Sequence, residues 1–353
     1  MAAFGDYDIA SAIYWSAQNN CTTCLQALSW HLEESPHGRV NESTTCYGSA
    51  LAVAVDRGHR DTVSILLCGD RADPNRPGAD GRTPLATAAA RSHTEIISIL
   101  LKDERVDANI TDPRGVSPFF LACTDRSNRA VDPFLSCSKV DVSRKDNTGW
   151  NALSWACAFG PTRTVKMLLR RVEIDVNNVD SEGNSPLLRA VVEGRTDVVK
   201  ILTNMLRVIL ARAPDTANSR DISGWSPLAW TFEPPGFPAC LEVLLQYASA
   251  ETLACTDYSG RTLLSIAVLW GQTAMVKMLL DHTGVDVHSR DLDGHTALFH
   301  AVKVGAVDIV RQLISRSHGP LSSHDVSAMV TVAEAHGNTE ILAEVRSLVG
   351  KND

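Results

Sequence analysis

Five residues of unlike chemistry, Trp155, Arg189, Trp230, Ile266 and His300, occupy one recurring place in this sequence, each at the same remove from a preceding glycine. Val53, Thr87 and Leu121 hold the equivalent place earlier in the chain. If these segments are helical, positions three and four further on share the same face. That face then gains Phe159, Glu193, Glu233, Trp270 and Lys303, while Trp150 and Trp225 follow directly after turn glycines at its rim. Aromatic walls around a cation, one or two carboxylates and an imidazole admit two chemistries. Trp and Arg are the side chains that most often anchor protein interfaces. The same groups could catalyse: Glu193 or His300 as proton donor or acceptor, Arg189 stabilising an oxyanion, and the indoles shaping an apolar substrate or stabilising cationic character. A cofactor-independent cyclase, isomerase or dehydratase would suit such a set. A plainer account remains open, in which the indoles fill volume between helices and Arg189 with Glu193 forms a surface pair worth a few tenths of a kcal/mol.

Other chemistry is not signalled. No Gly-x-Gly-x-x-Gly, phosphate loop, His-Glu-x-x-His or Gly-x-Ser-x-Gly occurs, so nucleotide-dependent and zinc-protease reactions are not expected. The formal charge of −8 and the lack of a Lys/Arg cluster argue against nucleic acid. No run of apolar residues reaches membrane-spanning length, and residues 1 to 20 lack the basic-then-apolar order of a secretory signal. The expected location is intracellular, cytoplasmic or nuclear. Nine cysteines at scattered positions then fit reduced thiols, with Cys21-Thr-Thr-Cys24 read as packing and not as a redox or zinc pair. His282, His288, His295 and His300 fall on different elements, and no metal or cofactor is expected.

The elements that would position these residues come from a repeat. Turn glycines stand at Gly48, Gly81, Gly115, Gly149, Gly183, Gly224, Gly260 and Gly294, separated by 33, 34, 34, 34, 41, 36 and 34 residues. Asp146, Asp180, Asp221, Asp257 and Asp291 precede five of them by three positions, where a carboxylate can accept turn amides. Helix openings follow, such as Thr83-Pro84-Leu85, Ser117-Pro118-Phe119, Ser185-Pro186-Leu187 and Ser226-Pro227-Leu228: a hydroxyl cap, then a proline where the first turn needs no amide. The second helix of each unit carries apolar runs such as Ile65-Leu66-Leu67.

With this period, turn and opening, the sequence resembles the ankyrin-repeat family. The resemblance implies an all-α solenoid of stacked helix-turn-helix units joined by β-turn-like loops, with a concave face and a recognition role. Residues 1–46 read as a divergent N-terminal capping repeat and loop, 47–318 as eight repeats, and 319–353 as a C-terminal capping repeat. The family's usual histidine after the opening Leu is replaced throughout, by Ala86, Ser154, Leu188, Ala229, Ser265 and Phe299 among others. Irregularities fall at 112–143, where Asp125-Arg-Ser-Asn-Arg replaces a glycine turn and Pro133 interrupts a helix, and at 205–238, with a lengthened helix and an exposed-looking Phe237 in a proline-bounded loop. Counting the cap as repeat 1, the resemblance implies a concave groove over repeats 5–9 that docks a protein or peptide. Its expected anchors are Trp150, Trp155, Phe159, Arg189, Glu193, Trp225, Trp230, Glu233, Phe237, Trp270, His300 and Lys303. An apolar small molecule in the same groove is the alternative.

Overall fold

A computed structural model describes residues 6–33, 50–68, 72–78, 80–127, 129–209, 221–233, 236–246, 248, 250–282, 284–317 and 322–349. Gly48, most of the loop expected before it, the end of the lengthened helix beyond Ile209, and Pro234-Pro235 lie outside the described residues. The secondary structure is helical, with no strand among the described residues. Three isolated antiparallel bridges, Lys145 with Asn151, Thr256 with Thr262 and Arg290 with Thr296, close turns at their bases. The chain divides into two compact units, Met1–Asn178 and Val179–Asp353.

In the first unit the inner helices are α1 (Asp6–Gln18), α3 (Ala50–Arg57), α5 (Pro84–Ala90), α7 (Pro118–Cys123) and α9 (Ala152–Ala158). Each packs on the next, and each pairs with its outer helix: α2 (Thr22–Glu33), α4 (Arg60–Leu67), α6 (Thr94–Lys102), α8 (Val131–Leu135) and α10 (Thr162–Leu168). Helices this short do not persist alone in water. What holds them is the burial of Leu51, Val63, Leu85, Ile97, Leu100, Phe119, Leu153 and Leu168 between layers, at about 1.5–3 kcal/mol per large side chain. Cys123 and Cys157 are fully buried at matching positions of α7 and α9. Burial in this apolar setting pushes the Cys123 thiol far above the ordinary range.

The openings behave as the hydroxyl-proline pattern predicts. Thr83, Ser117, Ser185, Ser226, Thr262 and Thr296 each accept the amide three residues on, and Asn151 does so for α9. Asparagines lock successive repeats of the first unit. Asn75 Nδ2 donates to the Arg105 carbonyl at 2.7 Å and Asn109 Nδ2 to that of Lys139 at 2.8 Å, while their Oδ1 atoms accept the Asp107 and Asp141 amides.

The second unit repeats the scheme. Its inner helices α11 (Pro186–Val192), α13 (Pro227–Trp230), α16 (Leu263–Leu269), α18 (Ala297–Val304) and α20 (Ser323–Ala335) stack in that order. The outer helices α12 (Thr196–Ile209), α14 (Pro238–Leu245), α17 (Thr273–Asp281), α19 (Val307–Arg316) and α21 (Thr339–Val349) stack beside them, and α15 (Ala250–Leu253) leads into one turn. The 14-residue α12 is longer than the nine-residue α17, in keeping with the wide spacing between Gly183 and Gly224.

One expectation is overturned. Cys21 and Cys24 form a disulfide, with Cα atoms 5.3 Å apart, so two of the cysteines are not reduced thiols. The helical turn opening α2 brings positions three apart onto one side, and the pair lies just after Asn20, whose side chain accepts from Thr62 in the next repeat.

Candidate functional site

The first carboxylate oxygen of the turn aspartates accepts backbone amides, and in Asp146, Asp180, Asp221 and Asp291 the second reaches forward to the residue nine positions on. In the fifth repeat Asp146 Oδ1 takes the Thr148 and Trp150 amides at 2.9 and 3.0 Å, and Oδ2 takes the Trp155 indole N–H at 2.9 Å. Asp180 serves the Glu182 and Asn184 amides and then Arg189, whose Nε and Nη2 lie 3.0 and 2.5 Å from Oδ2. Asp221 holds the Trp230 indole at 2.8 Å, and Asp291 holds the His300 imidazole N–H at 2.7 Å. In the eighth repeat Ile266 cannot donate, and Arg261 Nε supplies the bond to Asp257 at 2.8 Å. Trp155, Arg189, Trp230 and His300 are therefore tethers that fix their turns to their inner helices. Any side chain that can donate from that place serves.

The arrangement constrains what the column can do. Arg189 meets Asp180 and also Glu182, at 2.9 Å, so its charge is neutralised within its own repeat. The expectation that Arg189 pairs with Glu193, or offers a free cation, gives way to this geometry: the helix start points the guanidinium back at the turn. His300 is only 7 % exposed. Burial raises the Asp291 carboxyl, but the His295 amide and the His300 imidazole outweigh it and hold that carboxyl below its ordinary value. Asp291, His295 and His300 have ligand atoms within 4.8 Å of one another. The carboxylate is nonetheless engaged as its counterparts are, with two turn amides and the tether, and the His295 ring stacks on Phe299 with centroids 3.9 Å apart.

What remains open is aromatic. In the first unit Trp150, Trp155 and Phe159 form a triangle with centroids 5.5, 5.7 and 5.9 Å apart, and Phe120 stacks behind Trp155 at 6.4 Å. Phe159 caps the end of α9 and is 47 % exposed. The rings touch one another and leave no gap for a cation or a flat ligand between them. In the second unit Trp225 lies edge-on to Trp230 at 5.3 Å and to Trp270 at 6.3 Å, and Trp270 is 42 % exposed. Trp150, Trp155, Trp225 and Trp230 are half-buried.

Glu193 and Lys303 are exposed at the ends of α11 and α18. Glu233 is partly covered just after α13, and burial pushes its carboxyl up. Phe237, expected to be exposed, is half-buried: it packs over Gly194, where a Cβ would lie 2.7 Å from its ring. Glu193, Arg189 and His300 occur in one unit, with α13 and α16 stacked between the helices that carry them.

Sequence reasoning passed over a second row. Ile222, Tyr258 and Leu292 are all exposed, each directly after a turn aspartate. Tyr258 and Leu292 lean over Gly224 and Gly260 of the preceding turns, and the Leu292 amide donates to the Ser259 carbonyl at 3.0 Å. The signal was available as an apolar residue where a solvated turn favours polar ones.

Comparison with known proteins agrees with this architecture. A model of three tandem ankyrin repeats matches residues 51–146, 119–212 and 203–291, and a single-repeat model matches 293–326. Among curated proteins, cortactin-binding protein 2 from Mus musculus is 33 % identical over 108 residues, 30 % of this chain and 6 % of that protein. The same protein from Aotus nancymaae is 36 % identical over 94 residues, 26 % of this chain and 5 % of its own length. The chain thus spans a small fraction of these relatives. With family models covering most of its length, on helix pairs, capped openings and turn glycines at the same period, the chain belongs to the ankyrin-repeat family.

Proposed function

We propose that this protein is a non-enzymatic recognition scaffold that docks a protein or peptide on the inner-helix face of repeats 5 to 9, the turn tips Ile222, Tyr258 and Leu292 extending that surface. The observation that carries the reading is the division of labour among the aromatics. Trp155 and Trp230 are fixed by their tethers; Trp155 packs directly on Phe159, Trp230 backs Trp225, which packs on Trp270, and both Phe159 and Trp270 stay nearly half open to solvent. Rigid, pre-positioned aromatic surface is what interface anchors require, because little side-chain entropy is lost on binding. Rings already in mutual contact offer a surface and not a slot, which favours a macromolecular partner over an enclosed small molecule. The matched relatives carry cortactin binding in their name, and a protein partner is the corresponding reading here, without the identity of that partner.

The test is comparative capture. The folded protein and its Phe159→Ala/Trp270→Ala variant are used as baits, with helicity and melting of both recorded. The two side chains contribute exposed surface, so the variant is expected to fold normally and to lose at least about tenfold in affinity for the partner held by the parent protein, the loss typical of an anchor. Equal binding by the two baits would refute the assignment of this face.

A further inference from the structure

The fourth repeat departs most from the pattern, and its departure has a physical result. Asp125 takes over the inter-helix turn: its two oxygens accept the Ser92 and Ser127 hydroxyls at 2.6 and 2.5 Å and the Ser127 and Ala130 amides at 2.9 and 3.2 Å. Pro133 follows, and α8 runs for only five residues between the nine of α6 and the seven of α10. At 1.5 Å per residue the short helix fails to cover its neighbours. Two depressions open to solvent flank it and the segment that follows, of about 710 and about 430 Å³.

The larger cavity lies against α6 in the first unit, away from the aromatic triangle. Lys102, Arg129 and Lys139 line it, with Asp132 as the one carboxylate and Leu101 among its apolar residues. Asp132 lies 3.5 Å from Arg163. Lys139 donates to the Asp103 carbonyl at 3.1 Å, beside an Asp103 carboxylate that Arg105 already pairs. Lys102 and Arg129 have no carboxylate partner among the described residues. Three cations against one carboxylate leave two net positive charges around this cavity, in a chain whose formal charge is −8. Like charges gathered around one depression repel one another, and a shared anion relieves that repulsion.

We propose that this cavity binds a small phosphorylated molecule, with Lys102, Arg129 and Lys139 around the phosphate and Leu101 under the organic part. A polyvalent oxyanion answers several cations at once and suits the planar fork of Arg129, which a single carboxylate would only partly satisfy. The volume falls within the ~300–1,000 Å³ usual for small-ligand sites.

The experiment is calorimetric titration of the full chain with inorganic pyrophosphate at low ionic strength, with acetate as the monovalent comparison. Because Cys137 also lines the cavity, peptide-resolved alkylation of Cys137 supplies a second readout. Pyrophosphate is expected to bind with Kd below about 1 mM, to slow Cys137 alkylation, and to bind Lys102→Gln/Arg129→Gln at least about tenfold more weakly. Both substituted side chains are exposed, so that variant is expected to retain the parent's circular dichroism. Equal affinity in parent and variant, or no binding by the parent at several millimolar, overturns the proposal. So does binding confined to vesicles of phosphatidylcholine with phosphatidic acid, since it would place the phosphate on a lipid surface.

Discussion

Replacing Trp155 by phenylalanine keeps an aromatic ring in the triangle and deletes one atom of consequence, the indole N–H that donates to Asp146 Oδ2 at 2.9 Å. Asp146 is buried, and its Oδ1 remains satisfied by the Thr148 hydroxyl and two amides. Oδ2 loses the indole. A hydrogen bond to a charged acceptor contributes about 1.5–3 kcal/mol, and the smaller ring forfeits about 1 kcal/mol of burial. Trp155→Phe should therefore cost about 2–4 kcal/mol in urea unfolding followed by circular dichroism. The tether is separated from the ring by a double-mutant cycle with Asp146→Asn, whose amide presents a donor to the indole where the carboxylate presents an acceptor. We expect a coupling of about 1–2 kcal/mol. The partly exposed Trp270, with no tether among the described residues, should lose less than about 0.5 kcal/mol when changed to phenylalanine. A coupling below about 0.3 kcal/mol, or equal losses at 155 and 270, would refute the tether.

Further expectations concern the same machinery. Gly194 has φ +63° and Phe237 over it, whereas Gly271 has the same φ and open space. Gly194→Ala should accordingly cost about 1 kcal/mol more than Gly271→Ala, which carries only the left-handed penalty of roughly 1 kcal/mol, as read in thermal melts. At Asp125 burial acts upward, but the Ser127 and Ser92 hydroxyls and the Ser127 and Ala130 amides outweigh it and depress the carboxyl; Asp291 is depressed similarly. A depressed carboxyl stabilises the fold above its unfolded value, near pH 4. That contribution fades as pH falls from there through the folded value. Asp125→Asn should thus lower stability at neutral pH and flatten its acid dependence. Of the eight cysteines among the described residues, the two in the disulfide leave six to react with an alkylating reagent under denaturing conditions before reduction, and all eight react after it; peptide-resolved mass spectrometry shows the count.

Much of the fold was legible because its signals are local. Hydroxyl caps, first-turn prolines and turn glycines act within four residues, and Thr83, Ser185 and Gly183 do what their types require. The candidate site was only half legible. The period placed Trp155, Arg189, Trp230 and His300 in one column, and the turn aspartates were visible too, but the bond across nine residues joins a loop atom to a helix atom and has no fixed residue signature. A donor of indole, guanidinium or imidazole serves equally. Reading Arg189 as available for a partner failed for that reason. Phe237 looked exposed among prolines because the surface that receives it, Gly194, is presented by the preceding repeat. The cavity beside α8 could not be read as a site, although its cause, Pro133 with the missing glycine turn, was plain.

The most direct measurement is site-specific photo-crosslinking with benzoylphenylalanine placed in turn at positions 159 and 270, and at position 172. Val172 is 96 % exposed and lies outside both aromatic clusters. The account predicts that positions 159 and 270 yield adducts with one and the same protein while 172 yields none. Adducts from 172 alone, or the absence of any adduct at 159 and 270 in extracts where 172 reacts, would contradict it.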